Sequence, residues 1–163
     1  MTTVSNTSPV SNLAVIGRLP LLREVCGRIL IPEAVREELG RLSDPAAQAA
    51  IQGALSAGWL QVTPVTDQTL AAALREKLDA GESEAITLAA GCGAHLLIDE
   101  LDGRLVARRL GIKVRGALWV LRQARQMGMV ASLKEEIRKL RHDANFWISE
   151  KLENELLASV GER

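Results

Sequence analysis

Residues 95–114, HLLIDELDGRLVARRLGIKV, contain the pattern that decides the fold. A short apolar run at residues 95–98 is followed by a helix-like segment at residues 103–110 and by a second apolar run at residues 112–114. A strand, a helix and another strand at this spacing form a βαβ unit, whose two strands run parallel. The segment therefore predicts a parallel sheet covered by helices.

The rest of the chain repeats this alternation and then changes character. Further strands are predicted at residues 3–5, 28–31 and 60–62, and helices at residues 9–16, 32–39, 45–57, 69–78 and 83–90. Beyond residue 117 the strand signal disappears, and apolar residues recur with the spacing of amphipathic helices. We therefore predict one α/β domain over residues 1–130 and a helical C-terminal extension over residues 131–163 that packs on it.

The composition restricts the class of protein. Of the 163 residues, 47% are hydrophobic but only four are aromatic, so the core must be aliphatic. Twenty basic and twenty acidic residues cancel, which gives no general attraction to nucleic acid or membrane. Cys26 and Cys92 are too few for a disulfide framework and lack the spacing of a metal site. With neither a signal-peptide pattern nor an apolar run long enough to span a membrane, we expect a soluble, cytoplasmic protein.

Acidic residues cluster where predicted strands end and where predicted helices begin or end. The candidates are Glu38, Glu82, Glu84, Asp99, Glu100 and Asp102. Carboxylates gathered at one end of a sheet repel one another, and this raises the pKa of at least one of them unless a counter-ion is present. Mg²⁺ and Mn²⁺ prefer such oxygen ligands. The pattern therefore predicts a divalent-cation site.

Single acids in this set have simpler explanations. Glu82, at the start of a helix, would favour the helix dipole without any further role, and Glu38 would suit a solvated helix surface. Three acids within the four residues 99–102, however, exceed what a helix cap requires. Taken together, the acids favour a site more strongly than any one of them does.

The first strand ends in a polar segment, residues 5–9, SNTSP. Asn6, Thr7 and Ser8 lie where a parallel strand gives way to a helix, which is where α/β folds place their chemistry. A mechanical interpretation is equally open: Ser8 would cap the helix, and Pro9 would suit its first turn because proline has no N–H to lose there.

Five motifs follow one another over residues 4–130: VSNTSPVSNLAVIGRL, ILIPEAVREEL, GESEAITLA, LLIDELDGRLVARRLGI and GALWVLRQARQMGMV. In this order and spacing they resemble PIN-domain proteins, in particular the prokaryotic group of predicted nucleic-acid-binding proteins related to VapC-type toxins. The resemblance implies a parallel sheet with helices on both faces. It also implies a ribonuclease that depends on Mg²⁺ or Mn²⁺ and whose acids meet at the carboxyl edge of the sheet.

The resemblance also implies roles for individual residues. The catalytic positions fall on Asn6, Glu38, Glu84, Asp99, Glu100 and Asp102, of which all but Asn6 would be metal ligands. Thr7, Ser8 and Glu82 would support them, and either Asp99 or Glu100 would face the metal. Family members usually carry Asp where this chain has Asn6, and Asp is also commoner at the positions of Glu84 and Glu100. These departures predict a weakened metal site.

Basic residues just beyond the acids are candidates for binding the RNA backbone, although a solvated helix surface would explain them equally well. They are Arg104, Arg108, Arg109, Lys113 and Arg115. The expected role is that of a metal-dependent ribonuclease, such as the toxin of a toxin–antitoxin pair with a small antitoxin protein as partner. The alternative is a catalytically weak or inactive protein that binds nucleic acid or acts as a dimeric interaction protein. Apolar stripes on the C-terminal helices predict a homodimer.

Overall fold

The computed structural model describes residues 2–163, and five parallel strands form its sheet. The strands are β1 (Thr3–Ser5), β2 (Ile29–Ile31), β3 (Leu60–Val62), β4 (His95–Leu97) and β5 (Val114–Arg115). They lie side by side in the order β3-β2-β1-β4-β5. The predicted α/β fold with a parallel sheet is confirmed, and the order brings the ends of β1 and β4 together at its centre.

Helices connect the strands and cover both faces of the sheet. They are α1 (Thr7–Val15), α2 (Pro20–Cys26), α3 (Glu33–Leu39), α4 (Pro45–Ala57), α5 (Gln68–Leu74), α6 (Ala80–Cys92), α7 (Leu101–Arg109), α8 (Ala117–Gln126), α9 (Leu133–Asp143) and α10 (Glu150–Ser159). Helix α6 packs on β1 and β4 and contacts α3, whereas α2 packs with α8. None of the helices in residues 2–163 combines the length and apolar character that crossing a membrane requires.

The core is aliphatic, as the composition requires. Val4, Ile29, Ile31 and Leu96 on the central strands are completely buried. Burying one such side chain contributes about 1.5–3 kcal/mol. The short strands are therefore held by burial on both faces as well as by their hydrogen bonds, and they form a rigid base for the residues that follow them.

Two helix starts differ from the prediction and change where polar side chains point. Helix α1 begins at Thr7, so Ser8 lies inside its first turn, and its hydroxyl donates to Glu100 instead of accepting from a backbone N–H as a cap would. The interpretation of Ser8 as a helix cap is therefore wrong. Helix α6 begins at Ala80 rather than residue 83, because the Asp79 side chain accepts a hydrogen bond from the Glu82 N–H at 2.8 Å. This early start places Glu82 in the first turn.

The apolar stripes of the C-terminal helices are used within the chain. Leu121 of α8 and Leu133, Ile137 and Leu140 of α9 are all completely buried. Helix α9 packs against α8 and α1. These stripes were the reason to expect a homodimer, and their burial inside one chain removes that reason.

Candidate active site

Asn6 lies at the centre of the carboxyl edge of the sheet, immediately after β1. Its backbone N–H donates to the Leu97 carbonyl at 2.8 Å, which continues the pairing of β1 with β4 beyond the strand. Its side-chain Nδ2 donates to Glu100 Oε2 at 3.1 Å. Asn6 is 3% exposed, and its Oδ1 is buried without a hydrogen-bond partner among residues 2–163. A buried acceptor left without a donor is costly, so this oxygen is a candidate ligand atom.

Five carboxylates near this edge are connected to Asn6, to its neighbour Thr7 or to one another by contacts and mutual charge, and we call them the acid cluster. They are Glu38 on α3, Asp79 and Glu82 at the start of α6, Glu100 after β4, and Asp102 at the start of α7. The hydroxyls next to Asn6 connect two of them to β1, since Thr7 donates to Glu38 and Ser8 donates to Glu100. Elements distant in the sequence thus bring their acids to one edge of the sheet.

Two glycines leave room for carboxylates of the cluster. A Cβ on Gly81 would collide with the Glu38 carboxylate, and a Cβ on Gly103 would lie 3.0 Å from Glu82 Oε2. Both glycines are in the first turn of a helix, α6 and α7 respectively. The carboxylates therefore lie against helix N-termini, whose partial positive charge favours an anion.

The acid cluster has no basic partner. None of the ion pairs formed among residues 2–163 involves any of its five members. Burial, followed by a hydrogen bond with Asp79 and the negative charges of Asp79, Glu100 and Asp102, raises the pKa of Glu82 to about 8. These surroundings favour the protonated form of Glu82 at neutral pH.

Asp99 and Glu100 are adjacent but point to different neighbours. Asp99 Oδ1 accepts from the Ala117 N–H at 2.9 Å, at the start of α8, whereas its Oδ2 is buried and has no partner in the described chain. Burial raises the pKa of Asp99 to about 6, against the opposing hydrogen bond from Ala117. Glu100 instead contacts Asn6 and Ser8. Of the two residues that the sequence left open, Glu100 is therefore the one beside Asn6.

Glu84 is engaged outside the acid cluster. Its carboxylate binds Arg75 at 2.6 Å and accepts from the Ala34 N–H at 3.2 Å. Residues two apart in a helix point in nearly opposite directions, so Glu84 cannot share the orientation of Glu82. The resemblance implied a metal-ligand position for Glu84 and a supporting role for Glu82; in the structure Glu84 is paired with Arg75, whereas Glu82 lies among the acids of the cluster.

The five basic candidates divide into two groups. Arg104 donates to the Ile98 carbonyl at 2.7 Å, and the Arg115 guanidinium lies 5.1 Å from the centre of the Trp119 ring, so both are used within the fold. Arg108, Arg109 and Lys113 are exposed. The two exposed arginines end α7, about 10 Å along the helix from Asp102. Only this second group has the exposure that RNA phosphates require.

The donor set fits a hard divalent cation. It consists of carboxylate oxygens and the unpartnered amide oxygen of Asn6, and it lacks a positive charge of its own. Among residues 2–163, however, no three acidic, imidazole or thiol side chains are already spaced to close around one ion. Thr7 and Ser8 hold two of the carboxylates by hydrogen bonds.

Sequence reasoning overlooked several residues of this region. Asp79 was not considered, although an acid three residues before Glu82 is a recognisable capping signal. Gly81 and Gly103 are also recognisable in the sequence, since each lies next to an acid at the start of a predicted helix. No sequence signal places Trp147 near Glu100, but both line one pocket of about 330 Å³.

Comparison with known proteins identifies the fold. Residues 2–162 match the family model described as a PIN domain. A PilT N-terminus domain protein from the hyperthermophilic archaeon Sulfolobus solfataricus P2 superposes with a TM-score of 0.56 and 21% sequence identity, covering 76% of this chain and 93% of that chain. At this identity the likeness shows a shared fold alone. No curated protein matches the sequence.

Proposed function

Because the chain belongs to the PIN-domain family, we propose that it is a divalent-metal-dependent ribonuclease with a weakened metal site. The observation that supports this most directly is the acid cluster. Its five carboxylates lie at the carboxyl edge of a parallel sheet, and none of them forms an ion pair within the described chain. Acids gathered without countercharges are typical of functional sites, since the fold alone would be more stable without them.

The proposed ligands of Mg²⁺ or Mn²⁺ are Asn6 and four members of the acid cluster. They are Asn6 itself through Oδ1, Glu38, Glu82, Glu100 and Asp102. When bound, such an ion supplies an acidified water and positive charge for the phosphodiester in hydrolysis. Asp99 and Glu84, which the resemblance also named as ligands, have structural partners at Ala117 and Arg75, and we propose that they position α8 and α6.

The chain's own residues prepare the site for the ion and the substrate. Thr7 and Ser8 orient the carboxylates of Glu38 and Glu100 by donating their hydroxyl protons. Glu82 releases its proton when a cation binds, which makes binding stronger as the pH rises. Arg108, Arg109 and Lys113 would attract the RNA backbone, which the acids would otherwise repel.

A second candidate is a protein that binds nucleic acid without cleaving it, alone or as a dimeric interaction protein. The observation that favours it is Asn6, which contributes no charge and whose amide donates to Glu100. The role of a toxin with a small antitoxin as its partner remains part of the ribonuclease proposal. It is tested by co-purification with the product of a neighbouring gene.

The test of the metal site compares two glutamates that lie on the same helix. We expect Mn²⁺ to raise the melting temperature of the unmodified protein by mass action. Glu82→Gln should abolish this rise and the cleavage of single-stranded RNA. Glu84→Gln, the matched control, should retain both after correction for its own baseline stability. Equal losses in the two variants, or an unchanged rise in Glu82→Gln, would contradict the proposal.

A further inference from the structure

The loop between α9 and α10 carries the most exposed large hydrophobic side chain that the structure describes. Trp147 in this loop is 83% exposed. The chain has only three tryptophans and no tyrosine, and the other two tryptophans, Trp59 and Trp119, pack partly against the core. An indole can bury a large area against a partner, so its position on the surface is informative.

The backbone on either side of Trp147 is anchored. The Phe146 N–H donates to the Leu140 carbonyl at 3.0 Å, and the Phe146 ring packs against the core. Ile148 is buried, and its carbonyl accepts from Arg141 at 3.3 Å. Arg141 in turn binds Glu153 of α10 at 2.5 Å. A fixed backbone therefore presents the exposed indole.

The indole shares a pocket with the proposed active site. Trp147, Phe146 and Asn145 line one side of this pocket of about 330 Å³, and Ser8, Asn12, Asp99 and Glu100 line the other. Glu100 belongs to the acid cluster and contacts Asn6. A group that binds in this pocket can therefore contact both Trp147 and Glu100, a member of the acid cluster.

The chemistry of the pocket selects a neutral, planar ligand with polar edges. Asp99 and Glu100 are acids and no basic residue lines the pocket, so a phosphate group would be repelled. The side-chain amides of Asn12 and Asn145 suit the hydrogen-bonding edge of a nucleobase. The indole supplies a stacking surface for its ring.

We propose that Trp147 is the stacking platform for a nucleobase of single-stranded RNA, next to the phosphate that reaches the acid cluster. The inference rests on the proposed function and identifies its substrate as RNA with an unstacked base at this position. Single strands are favoured because a base within a duplex cannot leave its neighbours to stack on a side chain without loss of pairing. The polar lining around Trp147 is unlike the apolar core of an interface between two protein copies.

The first experiment measures the binding of a short, fluorescently labelled single-stranded RNA in the presence of Ca²⁺, with the intact strand verified on a gel. We expect Trp147→Ala to weaken binding roughly tenfold, since stacking contributes about 1–3 kcal/mol per base. Trp147→Phe should recover most of the affinity because it keeps an aromatic ring. Met127→Ala, an exposed side chain outside this pocket, should bind as the unmodified protein does.

A second measurement distinguishes stacking from contacts with the backbone. RNA with abasic nucleotides should bind the unmodified protein about as weakly as Trp147→Ala binds intact RNA, and combining the two changes should cause little further loss. The dependence of affinity on salt should be the same in Trp147→Ala, because stacking releases no counterions. A melting temperature equal to that of the unmodified protein would exclude misfolding of the variant.

Three outcomes would overturn the inference, and they are distinguishable. If the unmodified protein binds RNA and Trp147→Ala binds it equally well, the stacking platform is wrong while the ribonuclease proposal stands. If Trp147→Ala instead changes the sedimentation from dimer to monomer with RNA affinity unaltered, the indole belongs to an interface between two copies. If the unmodified protein neither binds nor cleaves single-stranded RNA, the proposed function fails and this inference fails with it.

Discussion

Two buried glutamates in this molecule have opposite surroundings. Glu136 on α9 is 3% exposed and accepts two hydrogen bonds from Arg18, from Nε at 3.0 Å and from Nη2 at 2.7 Å, with Lys139 at 3.5 Å. Glu82 on α6 is 9% exposed, forms no ion pair within the described chain, and has its pKa raised to about 8. A buried acid that serves the fold has its countercharge beside it. Glu82 has no such countercharge in the described chain, and under the proposed function a cation from solution would supply it.

The largest effect should come from breaking the pair that serves the fold. We expect Glu136→Ala to lower the free energy of unfolding by about 2 kcal/mol, because it removes two charge-assisted hydrogen bonds from Arg18, which is partly exposed and can be solvated in their place. Glu135→Ala removes an exposed partner of Arg138 on the same helix, and solvent screening should leave stability almost unchanged. Denaturant unfolding of both variants provides the measurement. If both variants lose equally little stability, Glu136 does not depend on its countercharge, and its surroundings no longer explain those of Glu82.

Adding a negative charge at position 6 should increase the demand of the acid cluster for a cation. In Asn6→Asp a carboxylate replaces the amide that donates to Glu100, so the protein without metal should become less stable. Two unit charges at about 4 Å interact by about 4 kcal/mol at an effective dielectric of 20, and desolvation offsets part of this. We therefore expect Mn²⁺ to bind about tenfold tighter or more, and RNA cleavage to become faster. Calorimetry with Mn²⁺ and a cleavage assay at saturating Mn²⁺ test both expectations.

The unmodified protein should accordingly be a weak nuclease that is more active with Mn²⁺ than with Mg²⁺. If Asn6→Asp cleaves no faster than the unmodified protein, Asn6 is a turn residue rather than a weakened ligand. The second candidate function, binding without cleavage, would then be favoured.

The stability of the metal-free protein should depend on pH through Glu82. Its pKa is near 8 in the folded protein and near the ordinary value of 4.5 in the unfolded chain, so the folded state binds the proton more tightly. The stabilisation is therefore complete below pH 4.5 and is lost progressively as the pH rises toward 8. We expect a decline of about 1–2 kcal/mol, reduced from the full shift by solvent screening in the open site.

Thermal unfolding between pH 5 and pH 8 in a chelating buffer measures this decline. Glu82→Gln should flatten the profile, whereas Glu84→Gln should leave it unchanged because Arg75 already compensates that carboxylate. A profile that is unaffected by Glu82→Gln would show that the proton is held elsewhere in the acid cluster.

The smallest effect concerns exposed basic residues that lie near neither Glu136 nor Glu82. Reversing the charge of Arg108 and Arg109 should weaken RNA binding modestly and reduce its dependence on salt, because fewer counterions are released. Reversing Arg23 and Arg28, which are exposed at α2 and before β2, is the matched control and should leave the dependence unaltered. If RNA affinity depends on salt equally in the unmodified protein and in both charge-reversed variants, Arg108 and Arg109 serve only to favour the dipole of α7.

Local signals were sufficient to predict much of the fold. The predicted limits of β1, β3 and α4 agree with the structure. For α4 the reason is visible in the sequence, since Asp44 accepts from the Ala47 N–H, Pro45 begins the helix, and Gly58 ends it in the left-handed conformation. Helix α2 was missed because it is only seven residues long and begins at Pro20, just after α1 ends. The candidate site was predicted as a region, and the direction of each acid was not.

By itself, the sequence determined the alternation of strands and helices, the parallel sheet, the family, and the gathering of acids at strand and helix ends. These follow from apolar spacing, capping residues and motif order, all of which act between near neighbours. Only the tertiary structure decided that Glu100 contacts Asn6, that Glu82 lies among other acids, and that Glu84 turns to Arg75 and to the Ala34 N–H, 50 residues away. A side chain's direction depends on where its helix begins and on which distant atom is nearest, and local spacing encodes neither.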